Sequence, residues 1–233
     1  MTTGHLYGLG LGPGDPELVT LKALRLLRAA SVVAYPAPED GDSFARHIAA
    51  EWLDQGQREI IIRFPMRPGP PPARIYDEAA AELAAVMDGG QTIAYLCQGD
   101  PLFYGSFAGI LTRLAARYKV TVVPGVSSLT ACAAAAAMPL ARREDTLSVI
   151  PASLPEDELA ARLAQAEAAA IIKLGRHFPK LRRVVARLGL LDGAIYVERA
   201  SLPNQRIAPL ATVDPASVPY FATALVYRGG GGE

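Results

Sequence analysis

"TIAYLCQGDPLFYGSF", residues 92–107, runs from six largely apolar residues into Gly99-Asp100-Pro101 and then into two consecutive aromatics, Phe103 and Tyr104. A run apolar on both faces reads as a strand of a parallel sheet covered on both sides. Gly-Asp-Pro ends the strand, so the loop lies at a carboxyl end, where open α/β sheets collect their ligands. Gly99 permits a backbone conformation or contact that a Cβ would block, and Pro101 stiffens the turn. Asp100 has two readings: a cap for the following helix, or a holder of a ligand's amine or hydroxyl. Capping alone does not call for Gly99, Pro101 and the Phe103-Tyr104 pair beside it, and we read a ligand loop.

The surrounding pattern agrees. "LYGLGLG" (6–12), "SVVAY" (31–35), "EIIIRF" (59–64) and "KVTVV" (119–123) are further strand-like runs. Between the strands, 18–30, 43–56, 74–90 and 106–118 carry apolar residues at three- and four-residue spacing, which predicts helices. This alternation predicts an α/β domain over 1–123. A second α/β domain is expected over 124–233, with a helix at 128–137, strands near 146–150, 170–174, 194–199 and 221–227, and helices at 155–168 and 178–189. "PNQRIAPLATV" (203–213) reads as irregular or as one more strand, which makes the second sheet mixed. The proline-rich 67–74 reads as a surface loop and "GGGGE" (229–233) as a flexible tail.

Two more loops attract attention. "GLGLGPGDPE" (8–17) suggests a dinucleotide fingerprint and fails it: Gly-x-Gly-x-x-Gly would need glycine at Pro13 or at Asp15. Its glycines still allow close backbone approach. "VPGVSS" (123–128) ends a strand and opens a helix, with Ser127 or Ser128 as N-cap, or with exposed N–H groups that suit a carboxylate. Alanines 131 and 133–137 keep that helix slim.

Composition narrows the partners. Lys+Arg and Asp+Glu both total 23, so net charge is zero and nothing points to nucleic acid or an anionic membrane. Cys97 and Cys132 lie far apart and read as buried thiols, and His5, His47 and His177 show no metal-ligand spacing. The N-terminus lacks a signal-peptide pattern and no apolar run reaches about 18 residues, which implies a soluble cytoplasmic protein. The basic candidates are Arg142-Arg143, Arg176-His177, Lys180, Arg182-Arg183 and Arg206. Arg182-Arg183 read as solvated charge on an amphipathic helix, whereas Arg176-His177 follow a strand.

Taken together the three loops resemble the tetrapyrrole methylase family, marked by G-x-G-P-G-D-P, G-D-P and P-G-x-S-S in that order. Here they are residues 10–16, 99–101 and 124–128. "FPM" (64–66), "CQGDPLFYGSF" (97–107), "MPLARREDTLSVIPASLP" (138–155), "IIKLGR" (171–176), "YVERASLPNQR" (196–206) and "PYF" (219–221) look like the branch that methylates precorrin-2 at C20 in cobalamin biosynthesis. Gln98 departs from that branch, which usually has Glu there. The resemblance implies S-adenosylmethionine as the only cofactor, released as S-adenosylhomocysteine. It would be folded in a cleft between two α/β domains that lack the Rossmann methyltransferase fold.

Matched positions imply cofactor contacts at Pro13, Gln98, Gly99, Asp100, Phe103, Ser127, Ser128, Leu174, Ala200 and Thr223. A reduced tetrapyrrole is already a carbon nucleophile, so the reaction needs alignment and at most a weak base, for which Tyr104 and Glu198 are candidates. The substrate carries many carboxylates, which makes Arg142 and Arg176, with Arg143 and His177, candidates for binding it. A homodimer is also implied. Two other readings stay open: another methylase of the family, acting on uroporphyrinogen-III, precorrin-4 or cobalt-precorrin-2, or a non-catalytic α/β ligand-binding domain.

Overall fold

The computed structural model describes residues 4–65, 69 and 71–228. Met66, much of the proline-rich loop at 67–74 and the tail at 229–233 fall outside the described residues. Contacts divide the chain after Ser127 into two compact units, four residues beyond the boundary expected at 123.

In the first unit the elements are β1 (His5–Gly10), α1 (Leu21–Ala29), β2 (Val32–Pro38), α2 (Phe44–Ala49), β3 (Arg58–Phe64), α3 (Ala73–Asp88), β4 (Ile93–Cys97), α4 (Phe107–Leu114) and β5 (Lys119–Val123). All strand pairs are parallel and the order is β3-β2-β4-β1-β5. Two apolar layers cover the sheet. Leu83 and Met87 of α3 and Phe107 and Ile110 of α4 pack with Leu6, Ala34, Ile60 and Tyr95. Leu27 of α1 and Ile48 of α2 pack with Leu9, Val33, Tyr35 and Leu96 on the other face. The neighbours β1 and β4 therefore send their following helices to opposite faces. Their carboxyl ends open the crevice that such a reversal leaves.

Two helices end sooner than their apolar spacing predicts. The second was expected over 43–56 but stops at Ala49, followed by a 3-10 turn at Ala50–Trp52. Beyond it, the Gln57 amide donates to Leu27 O and Ala30 O at 2.7 and 2.8 Å, satisfying carbonyls that the end of α1 leaves open. The fourth was expected to reach 118 but stops at Leu114. Tyr118 turns inward there, buried, with its hydroxyl donating to Asp88 Oδ1 at 2.8 Å.

The second unit holds α5 (Ser128–Ala135), β6 (Leu147–Pro151), α6 (Glu156–Gln165), β7 (Ala168–Ile172), α7 (Phe178–Arg187), β8 (Ala194–Glu198), β9 (Arg206–Pro209) and β10 (Ala222–Tyr227). The order is β6-β7-β10-β8-β9, with β6 and β7 parallel and the other pairs antiparallel. The mixed sheet and the extra strand within 203–213 are both present. β7 starts and ends two residues earlier than expected, because Lys173 adopts a left-handed backbone (φ 60°) that stops the pairing. α6 and α7 cover one face through Leu159, Leu163, Phe178, Leu181 and Val184. α5 covers the other, where Leu129, Cys132 and Ala133 meet Ala170, Val197 and Leu225. The alanines of β7 and α5 bring that helix close to the sheet. Arg182, expected to be solvated, donates to Ala211 O at 2.8 Å and Val213 O at 3.3 Å and anchors the segment after β9.

One ion pair at the margin of the first sheet makes stability depend on pH. Arg46 grips Glu59 with two nitrogens, at 2.8 and 3.0 Å, and the Tyr35 hydroxyl donates to the same carboxylate. The Arg46 contact, reinforced by Tyr35, holds Glu59 below the ordinary carboxylate range against the opposing effect of burial. Its contribution is present above the unfolded pKa of about 4.3 and lost as pH falls through the lower folded value. Arg46→Met should therefore lower unfolding free energy by up to about 1 kcal/mol near neutrality, the pair being partly exposed. The gap between the urea midpoints of variant and parent should close as the titration is repeated at acid pH.

Candidate functional site

Within the first unit the three loops singled out in the sequence are laced together by backbone. Leu11 N donates to Cys97 O at 2.9 Å, and Gly12 and Gly99 exchange hydrogen bonds at 3.3 and 2.7 Å as a short antiparallel bridge. Gly12 (φ 79°) and Gly99 (φ 65°) take left-handed conformations that favour glycine. Gly125, from the third loop, closes on the other two. A Cβ on Gly10 would lie 2.4 Å from Gly125 N, and one on Gly125 would lie 2.2 Å from Gly99 O. Gly99 differs: nothing stands within 4 Å of where its Cβ would be. A bare stretch of backbone thus faces open space at the switch point between β1 and β4.

Asp100 fastens this junction and does not cap α4. Its Oδ1 accepts from Leu102 N at 2.9 Å and its Oδ2 from Gly125 N at 3.1 Å, so one carboxylate ties the second loop to the third. The N-cap position of α4 belongs to Ser106. Pro13 is buried, whereas Gln98, Gly99, Asp100 and Ser127 are half-buried and Ser128 is exposed. The Asp15 side chain accepts from Glu17 N and starts a 3-10 turn at Pro16–Leu18. Leu102, Phe103 and Tyr104 stand out from the loop, 38–52% exposed, with the two rings edge-to-face at 4.9 Å. Tyr104 is held in a left-handed backbone (φ 56°), a strained choice for an aromatic residue.

In the second unit strand direction sorts the remaining candidates. The carboxyl ends of β7 and β8 share an edge with the starts of β9 and β10, since Glu198 pairs with both Ala222 and Arg206. Leu174, Arg176, Glu198, Ala200 and Thr223 therefore lie at or next to this edge. Leu174 is fully buried in the core under α6 and α7. Ala200 and Thr223 are also buried, Ala200 on the α5 side with Cys132. Lys173, Arg199 and Ser201 have φ of 60°, 50° and 71°, and left-handed residues gathered this way mark ligand sites more often than plain turns.

Arg142 is not brought together with them. Its guanidinium lies 5.6 Å from the ring of Tyr227, whose hydroxyl donates to Asp145 Oδ2 at 2.7 Å. Tyr227 pairs with Ala168, the first residue of β7, and Arg176 lies past the last. Five strand residues, about 3.3 Å each, separate the two arginines. Glu198 is likewise committed: one oxygen accepts from the Tyr196 hydroxyl and the other lies 3.3 Å from Arg199 Nη1. Burial raises the Cys97 thiol well above its ordinary pKa and pushes Cys132 up to about 11, so neither is a ready nucleophile.

The sequence did not single out Arg199, or the mutual exclusion of Gly10 and Gly125. The Arg199 signal was its place after a strand beside Arg206; the glycine signal was two glycines at strand ends far apart in the chain. Among the described residues no three His, Cys, Asp or Glu side chains gather as metal ligands, and no helix is long and apolar enough to cross a membrane.

The family described as Tetrapyrrole (Corrin/Porphyrin) Methylases matches residues 5–214. The cobalamin biosynthesis protein CobIJ of Mycobacterium bovis is 45% identical over 97% of this chain, which spans only 46% of that protein. The precorrin-2 C(20)-methyltransferase of a Sinorhizobium species is 40% identical, with 96% of this chain and 95% of the relative covered. Among solved structures, the uroporphyrin-III C-methyl transferase of Thermus thermophilus complexed with S-adenosyl homocysteine superposes with a TM-score of 0.71. It is 26% identical, and the match covers 96% of this chain and 97% of that one.

The glycine junction predicts a steep response to the smallest side chain. Gly10→Ala should destabilise the first unit by about 1–3 kcal/mol, the range for overpacking. Gly99→Ala has room and should cost only about 1–2 kcal/mol of left-handed strain. Denaturant titration of the two variants side by side tests that order.

Proposed function

The chain belongs to the tetrapyrrole methylase family, and from that premise we propose that it transfers a methyl group from S-adenosylmethionine to C20 of precorrin-2, giving precorrin-3A. The observation that carries the reading is the bare backbone at Gly99, fixed by Asp100 and Gly125 at the switch point of the first sheet. The Sinorhizobium relative, matched over nearly its whole length, supports the choice of substrate. The M. bovis relative is about twice as long as this chain, so any activity in its other half stays outside the proposal.

The residues fit the cofactor. With nothing within 4 Å of where a Cβ would stand, Gly99 lets a ligand lie against the backbone of the second loop, and Phe103, partly exposed, supplies an apolar ring from the same loop. Pro13 forms part of the buried floor, and Ser127 and Ser128 add hydroxyls at the third loop. In the second unit the resemblance assigns cofactor contacts to Ala200, Thr223 and Leu174, all three buried at or next to the edge beyond β7 and β8. S-adenosylmethionine, when bound, supplies an electrophilic methyl group on a cationic sulfur. The chain has only to align the donor with a nucleophilic carbon and exclude water. Of the two candidate proton acceptors, Tyr104 and Glu198, the second is engaged by Tyr196 and Arg199. A homodimer in the cytoplasm belongs to the same proposal, supported by the family resemblance alone.

Incubation with S-adenosylmethionine and either metal-free or cobalt-bearing precorrin-2 tests the reading. The expected outcome is one added methyl group, located at C20 by isotope-labelled NMR, with one metal state preferred. Binding of S-adenosylhomocysteine without methyl transfer to any tetrapyrrole would overturn it in favour of a ligand-binding domain.

A further inference from the structure

The edge of the second sheet that bears Ala200 and Thr223 carries a charge that the whole chain does not. The segments 172–177, 198–206 and 218–223 form it, and they contain Lys173, Arg176, Arg199 and Arg206 against a single carboxylate, Glu198. Glu198 is 6% exposed and already engaged by Tyr196 and Arg199. Elsewhere, Arg46, Arg113, Arg117, Arg162 and Arg183 each pair with a carboxylate. Among the described residues Arg176 and Arg206 have no carboxylate partner, and Arg176 Nε makes only a long contact, 3.4 Å, with the His177 ring.

The sheet register fixes where these residues lie along the edge. Arg206 lies directly across from Glu198 in the β8–β9 register. Arg199 follows Glu198 with φ 50°, its N–H donating to Phe221 O at 2.9 Å. Glu198 engages Nη1 of Arg199, and no other contact of that guanidinium is found among the described residues. Like charges collected at one edge with a single, already engaged carboxylate among them cost free energy in the unliganded protein. An anionic ligand relieves that cost, and guanidinium forks match carboxylates in two-pronged geometry.

We propose that this edge is a carboxylate-binding subsite, with Arg199 and Arg206 as its principal receptors and Arg176 as a third, and that it takes the acidic side chains of the tetrapyrrole. The inference rests on the substrate class proposed above and assigns that class to particular residues.

The test uses the full chain with uroporphyrin III, a stable tetrapyrrole polycarboxylate, followed by fluorescence quenching, and S-adenosylhomocysteine followed by calorimetry. Arg199→Gln and Arg206→Gln should each weaken uroporphyrin binding about fivefold, the upper end for a partly exposed ion pair, and leave S-adenosylhomocysteine affinity within about twofold. Between about 50 and about 300 mM salt the parent should lose affinity more steeply than the double variant, because fewer charge pairs are left to screen. Arg162→Gln, on the exposed face of α6, is the control and should change neither. If Arg199→Gln fails to fold, Arg206→Gln decides alone. Uroporphyrin binding by the parent that neither substitution alters overturns the subsite and leaves the methyltransferase reading standing. A parent that binds S-adenosylhomocysteine but no tetrapyrrole overturns both.

Discussion

No side chain fits on Gly10 or on Gly125 where they meet each other and the Gly99 backbone, and the first unit is arranged around that exclusion. Three segments far apart in sequence approach to backbone contact: the end of β1, the end of β4 and the turn after β5. Such an approach is possible only because β4 lies between β2 and β1, which puts the two strand ends side by side while their helices leave to opposite faces. The sheet order creates the gap, and the glycines let backbone line it. Asp100 then prevents the loops from separating, since a part-buried Gly125 N–H deprived of its acceptor would cost about 1–3 kcal/mol.

The second unit reaches a comparable rim by another route. Its central strands run in both directions, so the edge beyond β7 and β8 also carries the start of β9 and β10. Turns must be tight there, and Lys173, Arg199 and Ser201 meet the demand with left-handed backbone although none is glycine. Left-handed conformation costs such residues of order 1 kcal/mol each.

What the sequence disclosed follows the range of the interactions involved. Apolar runs and turn residues are local signals, and they located every strand to within a few residues, including the irregular β9. They failed where a distant partner decided the outcome. Gln57 ends the second helical segment by reaching back to α1, and Tyr118 cuts the fourth short by turning toward Asp88. Asp100 was open to a ligand role or a helix cap and was read as part of a ligand loop, because its partner at Gly125, 25 residues on, has no local signature. Arg142, after the alanine-rich helix, and Arg176, after a strand, were both candidates for binding the same substrate. Only the antiparallel placement of β10 reveals that they stand at opposite ends of β7. The three loops were legible as motifs; that they lock together through missing side chains was not.

The rim of the second unit is also built to keep its charge constant. His177 is the one group there whose ordinary pKa lies near neutrality. Burial lowers that pKa, and the cations Lys180 and Arg176 lower it further, so the imidazole is neutral at physiological pH. The remaining positive charge resides on the guanidinium groups of Arg176, Arg199 and Arg206 and on the Lys173 ammonium. Side-chain carboxylates of a ligand ionise near pH 4–5, so rim and ligand carry opposite charge at neutrality. A rim that depended on His177 would already have lost that part of its positive charge at neutrality. The guanidinium groups supply what the neutral imidazole does not.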